Sequence, residues 1–459
     1  MRALLAGAAL AAVAGFAMPA AAFAAPPPPL DLSGAVRYAL DHDPTVLARR
    51  ATLAQNESAF ARNHAAEFPA LSGSLQNQLS KSNGNNGGSF QQFGLSQAQV
   101  FSQNTAQIGA VYNLYNGSLT QIQAQQAKRQ VEAARSDERR AEQQLAGDVA
   151  AAWYGAVQRR EALRLAEGDR AYQLQLLAAA RAQERVGRVA GVDVLRAQVN
   201  ELRSESNLTS ARADEVNARE SLAQRIGAPP DTAFALPPAL PEPALPADPV
   251  DSLVEAALGA RADVASARAQ VGVARLADAA IETDRRPQLQ LTGSFGNTET
   301  PTTQTVSPFG LLGEVRRPGF WQMGASETFT LPFIEYGTRR AAHRAARAQI
   351  DAALATLASA ESGVATDVRQ ALRGAQTASA NLATAREAQR LGAESARIAQ
   401  LQYRSGLISL TDATSAQQSA LQAATDLVAA RVTYLNALVR LRVAVGVADP
   451  LSVVQPGAP

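Results

Sequence analysis

The chain has no cysteine, which excludes disulfides, thiolate metal sites, a cysteine nucleophile and the lipidated N-terminal cysteine of bacterial lipoproteins. Beyond residue 25 it has no apolar run of about 18 residues or more, so no helix is expected to span a bilayer and any membrane contact falls to strands. Charge of one sign is not in excess either. The 43 basic and 41 acidic side chains leave a formal net charge of +2 and are interspersed, which gives nucleic-acid binding no support. Histidine is limited to His42, His64 and His343, none at metal-ligand spacing with another, and His343 among its arginines reads as part of a solvated helix face. No Gly-x-Ser-x-Gly, phosphate-cradling loop or dinucleotide fingerprint occurs, and the carboxylates sit amid Arg and Gln at helical intervals. The expectation is a protein without catalytic residues, cofactor or metal.

The first 25 residues are Arg2, an apolar run from Ala3 to Ala17, and Ala22-Phe23-Ala24 before a proline run. This pattern predicts a secretory signal peptide over 1–24, cleaved after Ala24.

The rest of the chain is a repeat. At an offset of 218, Ala35-Val36 meets Leu253-Val254, Arg50 meets Arg268 and Pro69 meets Pro287. At 219, Gly187 meets Gly406, Asp193 meets Asp412, Ala197-Gln198 meets Ala416-Gln417 and Gly227 meets Gly446. A first structural repeat over 25–227 and a second over 250–446 follow, joined by a linker at 228–249 whose prolines exclude helix and central strand. An irregular tail occupies 447–459.

Each half has the same internal order. Leu32–Glu67 is Ala-rich with apolar residues at helical spacing, and Pro69 ends it, so one helix is predicted. From Leu71 the period becomes two: Leu71, Gly73, Leu75, Asn77 and Leu79 lie on one side, and Ser72, Ser74, Gln76, Gln78 and Ser80 on the other. With the turn-rich Ser82–Gly88 this predicts a β-hairpin over about 69–115. The second half matches it with a hairpin over about 287–334, in which Leu289, Leu291 and Gly293 alternate with Gln290, Thr292 and Ser294. A long loop with Pro301, Pro308 and Pro318 precedes the return strand Phe320–Phe333. Residues 68–115 and 287–336, about a fifth of the chain, hold 13 of its 23 aromatic residues. Such clustering suits the aromatic girdles of outer-membrane strands and equally the core of soluble hairpins.

After Gly117 and after Gly337 there is no proline for over a hundred residues, and helix formers dominate, predicting long helical hairpins at 117–226 and 337–446. In the closing helix Leu427, Arg431, Tyr434, Leu438, Leu441 and Val445 alternate in steps of four and three, a coiled-coil seam broken by Arg431.

Two hairpins cannot seal a sheet in hydrocarbon, because the open edges would leave backbone groups unpaired. Closure must come from other chains. A homotrimer would supply a shared 12-stranded β-barrel and a ring of twelve long helices.

At this point the chain resembles the TolC-like outer membrane factors over about residues 30–446. The resemblance rests on Leu32, Ala35, Val36, Ala39 and Leu40 followed by Asp43-Pro44, on Pro-x-Leu at the change from helix to strand, and on a Gly at the return to helix. Its most specific element is Gln402-Tyr403-Arg404-Ser405-Gly406 leading to Asp412 and Ala416-Gln417. It implies a trimeric α-barrel reaching through the periplasm to an adaptor (membrane fusion) protein and an inner-membrane RND or ABC pump, below a β-barrel in outer-membrane lipid. It also implies a periplasmic aperture at the turns between the long helices. There Asp412 falls on the acidic-ring position, Asp193 is its first-half counterpart, and Tyr403 falls on a gate tyrosine beside Arg404. The chain departs from the pattern at Ile408, where the gate arginine would stand, and at Ser415, where a second ring acid would; Arg188 is a candidate substitute cation. Asp193 and Asp412 also read as helix caps after a glycine turn. The function expected is passive conduction of small molecules or drugs to the outside. The alternatives are the duct of a type I protein secretion system and a periplasmic helical adaptor or scaffold.

Overall fold

The computed structural model describes residues 29–84, 97–238, 240–299, 301–306, 311–316, 320–330 and 337–447, with backbone alone at 81–84, 97–102, 301–306 and 311–316. The expected signal peptide, the turn residues 85–88 and all but the first residue of the expected tail lie outside them.

The first half runs α1 (Leu32–His42), α2 (Pro44–Ala65), β1 (Ala70–Gly84), β2 (Gln97–Asn116), α3 (Leu119–Arg185) and α4 (Gly191–Ile226). In the second half come α5 (Val250–Ala260), α6 (Ala262–Thr283), β3 (Gln288–Glu299), β4 (Pro301–Val306), β5 (Leu311–Arg316), β6 (Phe320–Thr330), α7 (Thr338–Ser405) and α8 (Leu410–Val445). The fold is mostly helical with one antiparallel sheet, and the internal repeat is present in the backbone. All positive-φ glycines of the described residues fall in three repeat-related pairs, Gly117 with Gly337, Gly187 with Gly406 and Gly227 with Gly446. The last two pairs end helices in the same way: the amide after each glycine bonds back to the helix, as Arg188 N does to Gln183 O at 2.9 Å and Leu407 N to Gln402 O at 2.8 Å.

Two expectations need correction. The helix expected over Leu32–Glu67 is two helices, because Asp43 is an N-cap in extended conformation whose carboxylate accepts from Thr45 N at 2.8 Å and Val46 N at 3.2 Å. Pro44 then opens α2 where no amide donor is needed. The second half breaks at Arg261, the equivalent position, without a proline. There Asp263 accepts from Val264 N at 3.0 Å and clasps Arg261 at 2.6 Å. Burial pushes the Asp263 carboxyl up, but the Arg261 hydrogen bond and charge, with Arg140 and the Val264 amide, hold it below the usual range.

The long loop expected after β3 is the other correction. Glu299 stands opposite Asn104 and Thr302 opposite Phe101, so β4 continues β3 along β2 in one register. Likewise β5 pairs with β4 as β6 pairs with β3. Pro301 sits at the first residue of β4, the place in a strand that tolerates it. The sheet therefore has four strand positions: β1, β2, β3 with β4, and β6 with β5.

Its two faces differ in kind. Opposed residues share a face, and the register puts Leu71, Leu75, Ile108, Leu291, Phe295, Trp321, Met323 and Phe329 on one. All eight are exposed, Leu75 to 90%, and Phe295 stacks on Trp321 at 5.1 Å. The other face carries Ser72, Ser74, Gln76, Gln107, Thr292, Ser294, Gln322 and Ser326.

The chain divides into two compact units, each drawing on both repeats. One comprises residues up to Ala39, Val149–Leu240 and Leu391–Val428. Within it α3 and α4 pack antiparallel, tied by Arg159 to Asp214 at 3.4 Å and Arg170 to Glu205 at 3.3 Å. Trp153 meets Phe234 edge-on, and Arg160 donates to the carbonyls of Leu236 and Pro237. Those bonds give partners to a proline-rich stretch that has few amides of its own to offer.

The other unit comprises Leu40–Asp148, Pro241–Arg390 and the residues from Ala429. Here an ion pair recurs with the repeat: Arg50 to Glu142 at 3.1 Å and Arg268 to Glu361 at 3.2 Å. Arg431, the polar break in the expected seam, donates to Glu242 of the linker at 2.9 Å, Arg386 joins the same carboxylate, and Tyr434 donates to Pro243 O at 2.7 Å. His343 is not on a solvated face. Its Nδ1 lies 2.7 Å from Asp278 and its Nε2 2.8 Å from Glu282.

Candidate functional site

The residues expected at a periplasmic aperture lie at two turns, α3 to α4 and α7 to α8, within one compact unit. Leu176, Leu177 and Ala180 of α3, Val194 and Ala197 of α4, Tyr403 of α7, and Leu410 and Ala413 of α8 form one buried cluster. Both repeats therefore contribute to a single core at the turns. Ile408, at the position where an arginine was expected, packs its apolar side chain against this cluster.

Tyr403 is 1% exposed, and its hydroxyl has no hydrogen-bond partner among the described residues. Burial pushes its pKa up, and the nearby Asp193 carboxylate adds to the rise, so two of the expected residues do come close. Gln183, buried on α3, donates to the Tyr403 carbonyl at 2.7 Å and links the two repeats. Tyr172 donates to Ala413 O at 3.5 Å; burial raises its pKa, against the opposing charge of Arg404.

The two acids differ in their bonding. Asp412 is exposed and stands three residues after Ser409, which precedes α8; its Oδ2 accepts from Ser409 Oγ at 2.7 Å and Ser409 N at 3.3 Å, while Ser409 Oγ accepts from Asp412 N at 3.2 Å. This is a reciprocal capping box. In the first half Ala190 takes the serine's place and makes no side-chain cap. Asp193, half-buried, instead pairs with Arg196 at 3.5 Å. No contact among the described residues joins Asp193 to Asp412.

Arg404 donates to Gln175 at 3.0 Å. Arg188 is exposed and pairs with no carboxylate among the described residues; its backbone amide closes the Gly187 turn. Sequence reasoning passed over Gln183, Arg196 and Ser409. Of these only Ser409 had a readable signal, the Ser-x-x-Asp spacing ahead of an apolar helix. Around the turns Val186, Leu195, Leu202 and Leu407 are exposed. Among the described residues no group of His, Asp and Glu is arranged to hold a metal ion. What the turns offer chemically is charge, hydrogen bonding and exposed apolar surface.

A family model described as outer membrane efflux protein matches residues 35–228 and again 253–447. Solved structures with the same fold include the CmeC outer membrane channel of Campylobacter jejuni, 17% identical, with a TM-score of 0.69 over 91% of this chain and 86% of that one. The MtrE outer membrane channel of Neisseria gonorrhoeae in its open state is 21% identical, with a TM-score of 0.69 over 91% and 89%. A membrane protein from Pseudomonas aeruginosa is 19% identical, with a TM-score of 0.70 over 90% of each chain. The curated proteins give no match.

Proposed function

The chain belongs to the outer membrane efflux protein family, and from that premise we propose that it is the outer-membrane channel subunit of a tripartite export system. It works as a passive homotrimeric conduit for small molecules or drugs. The observation that carries this reading is the sheet: one face rich in exposed apolar side chains, with Glu327 among them, the other mainly Ser, Thr and Gln, with Val111 and Phe320 among them, and four strand positions open at both edges among the described residues. Apolar side chains facing outward and polar ones inward are what a barrel in lipid requires. Open edges in hydrocarbon would leave amides and carbonyls unpaired, so β1 of one copy must pair with the β6 edge of the next. Three copies give twelve strands.

In this reading the long helices form an α-barrel in the periplasm, with the turns at Gly187 and Gly406 around its entrance. Asp412 and Asp193 supply negative charge there, three of each in the trimer, which attracts cations. Tyr403, Arg404 and Arg188 lie at the gate. The exposed Val186, Leu195, Leu202 and Leu407 suit docking of a periplasmic adaptor protein, which connects the conduit to an inner-membrane RND or ABC transporter. The energy for export comes from that transporter.

Fractionation tests the proposal. The mature protein is expected in the outer membrane, extracted by detergent as an SDS-resistant trimer that heating converts to monomer. A monomer recovered without detergent from the periplasmic fraction would remove the barrel and with it the conduit.

A further inference from the structure

A groove of about 1010 Å³ lies between α3 and α6 in the compact unit that holds the sheet. Six cations line it, Lys128, Arg129, Arg135 and Arg139 from α3 and Arg268 and Arg275 from α6, against one carboxylate, Glu132. The chain as a whole, with 43 basic and 41 acidic residues, is balanced, so the imbalance is local.

Pairing inside the chain accounts for half of these cations. Arg129 donates to Glu132 at 2.7 Å, Arg135 to Glu57 at 3.0 Å and Arg268 to Glu361 at 3.2 Å. Lys128, Arg139 and Arg275 are exposed and pair with no carboxylate among the described residues. The repeat does not carry the cluster into the other half of the sequence. At the equivalent positions α7 has Arg347, Leu354 and Ala358 for Lys128, Arg135 and Arg139, and α2 has Glu57 for Arg275.

Like charges gathered in a concave wall repel one another and focus a positive potential into the space between them. An anion lying there relieves the repulsion and gains from the field. Lys128 and Arg139 are separated by about 16 Å along α3 at 1.5 Å per residue, with Arg275 on the facing wall. Charges so spread suit several separated anionic groups on one molecule better than a single small ion. Small residues, Ala265, Ala269 and Gly272, form part of the lining and leave room for the body that carries those groups. A side chain at Gly272 would reach 3.4 Å from Arg129 and begin to fill it. Both walls belong to one chain, so the site is complete in a single protomer.

We propose that this groove is a binding site for small organic polyanions, soluble molecules bearing two or more carboxylate, sulfonate or phosphate groups. The assignment does not depend on the conduit reading. It is tested with the full mature protein in neutral detergent, using the trisulfonated dye pyranine as probe and fluorescence anisotropy as readout. Saturable binding is expected, weakened tenfold or more in a Lys128→Gln, Arg139→Gln, Arg275→Gln variant and displaced by citrate. A second variant, Arg340→Gln, Arg344→Gln, Arg347→Gln, removes three exposed arginines outside the groove and is expected to bind as the parent does. Should the first variant not assemble, Arg275→Gln alone is expected to weaken binding threefold or more. No binding by the parent, equal loss in both triple variants, or no loss with the groove substitutions would overturn the proposal. Displacement by phosphatidylglycerol micelles but not by citrate would assign the groove to lipid and overturn it as well. Conductance across a lipid bilayer, measured in parallel, reports on the conduit separately.

Discussion

Asp412 caps α8, and the proposed function gives its charge a second role that substitution can separate from the first. Its oxygens cap α8 through Ser409, and its charge stands exposed beside the turn. Asn retains an oxygen acceptor and loses the charge, so Asp412→Asn should leave thermal stability nearly unchanged while lowering cation selectivity, read as a shift in reversal potential. Ser409→Ala should do the opposite, costing about 1 kcal/mol of stability with selectivity retained. If Asp412→Asn leaves the reversal potential where it was, capping is all that Asp412 does. The buried tyrosines give a pH prediction. Burial raises the pKa of Tyr154, Tyr172, Tyr403 and Tyr434 in the folded chain. The unfolded chain therefore ionises first, so this stabilisation is whole below about pH 10 and lost as pH rises beyond it. The denaturation midpoint should fall above pH 10, and less steeply in Tyr154→Phe; a flat profile to pH 12 would contradict it.

At the scale of elements, the left-handed glycines at helix boundaries can be ranked by what surrounds them. Gly187 and Gly406 have nothing within 4 Å of an added Cβ, so alanine there pays only for the left-handed backbone, about 1–2 kcal/mol. Alanine at Gly446 would also press against Arg261 N at 3.0 Å, and at Gly117 against the Arg286 Cβ at 2.8 Å. Gly446→Ala and Gly117→Ala should therefore lower the unfolding midpoint by clearly more than Gly406→Ala; equal losses would show that packing at these ends is slack. The long helices, the proline linker and the hairpins were legible because each rests on a local signal: proline-free runs of helix formers, proline clusters and period-two alternation. The break at Asp43 was readable in principle, since Asp-Pro is a cap followed by a first-turn proline, but the continuous Ala-rich periodicity masked it. The extra strands β4 and β5 were hidden by the prolines at 301, 308 and 318, although Thr302, Thr303, Thr305 and Val306 are good strand formers. At the turns, Asp193 and Asp412 were matched by the repeat, and Tyr403 was marked by the family resemblance alone. Gln183 did not, because its bond to the Tyr403 carbonyl joins two halves whose juxtaposition no local pattern encodes.

For the whole molecule the question is what covers the apolar face of the sheet. If lipid does, Leu75→Arg should cost about 2–4 kcal/mol near the middle of the bilayer and deplete trimers from the outer membrane, whereas Gln76→Arg, on the polar face, should assemble normally. Equal tolerance of both would mean that the faces are not lipid and lumen. The composition had already directed any membrane contact to strands, and the repeat had given the number of hairpins. Sequence periodicity could not supply the pairing of strands across the two halves, which aligns the apolar residues of four strand positions on one side. The most direct test of the central claim is the current through a planar lipid bilayer to which the purified, mature trimer is added. The account predicts discrete, reproducible conductance steps, one size per inserted trimer. A bilayer that stays silent as intact trimer accumulates in it would contradict it.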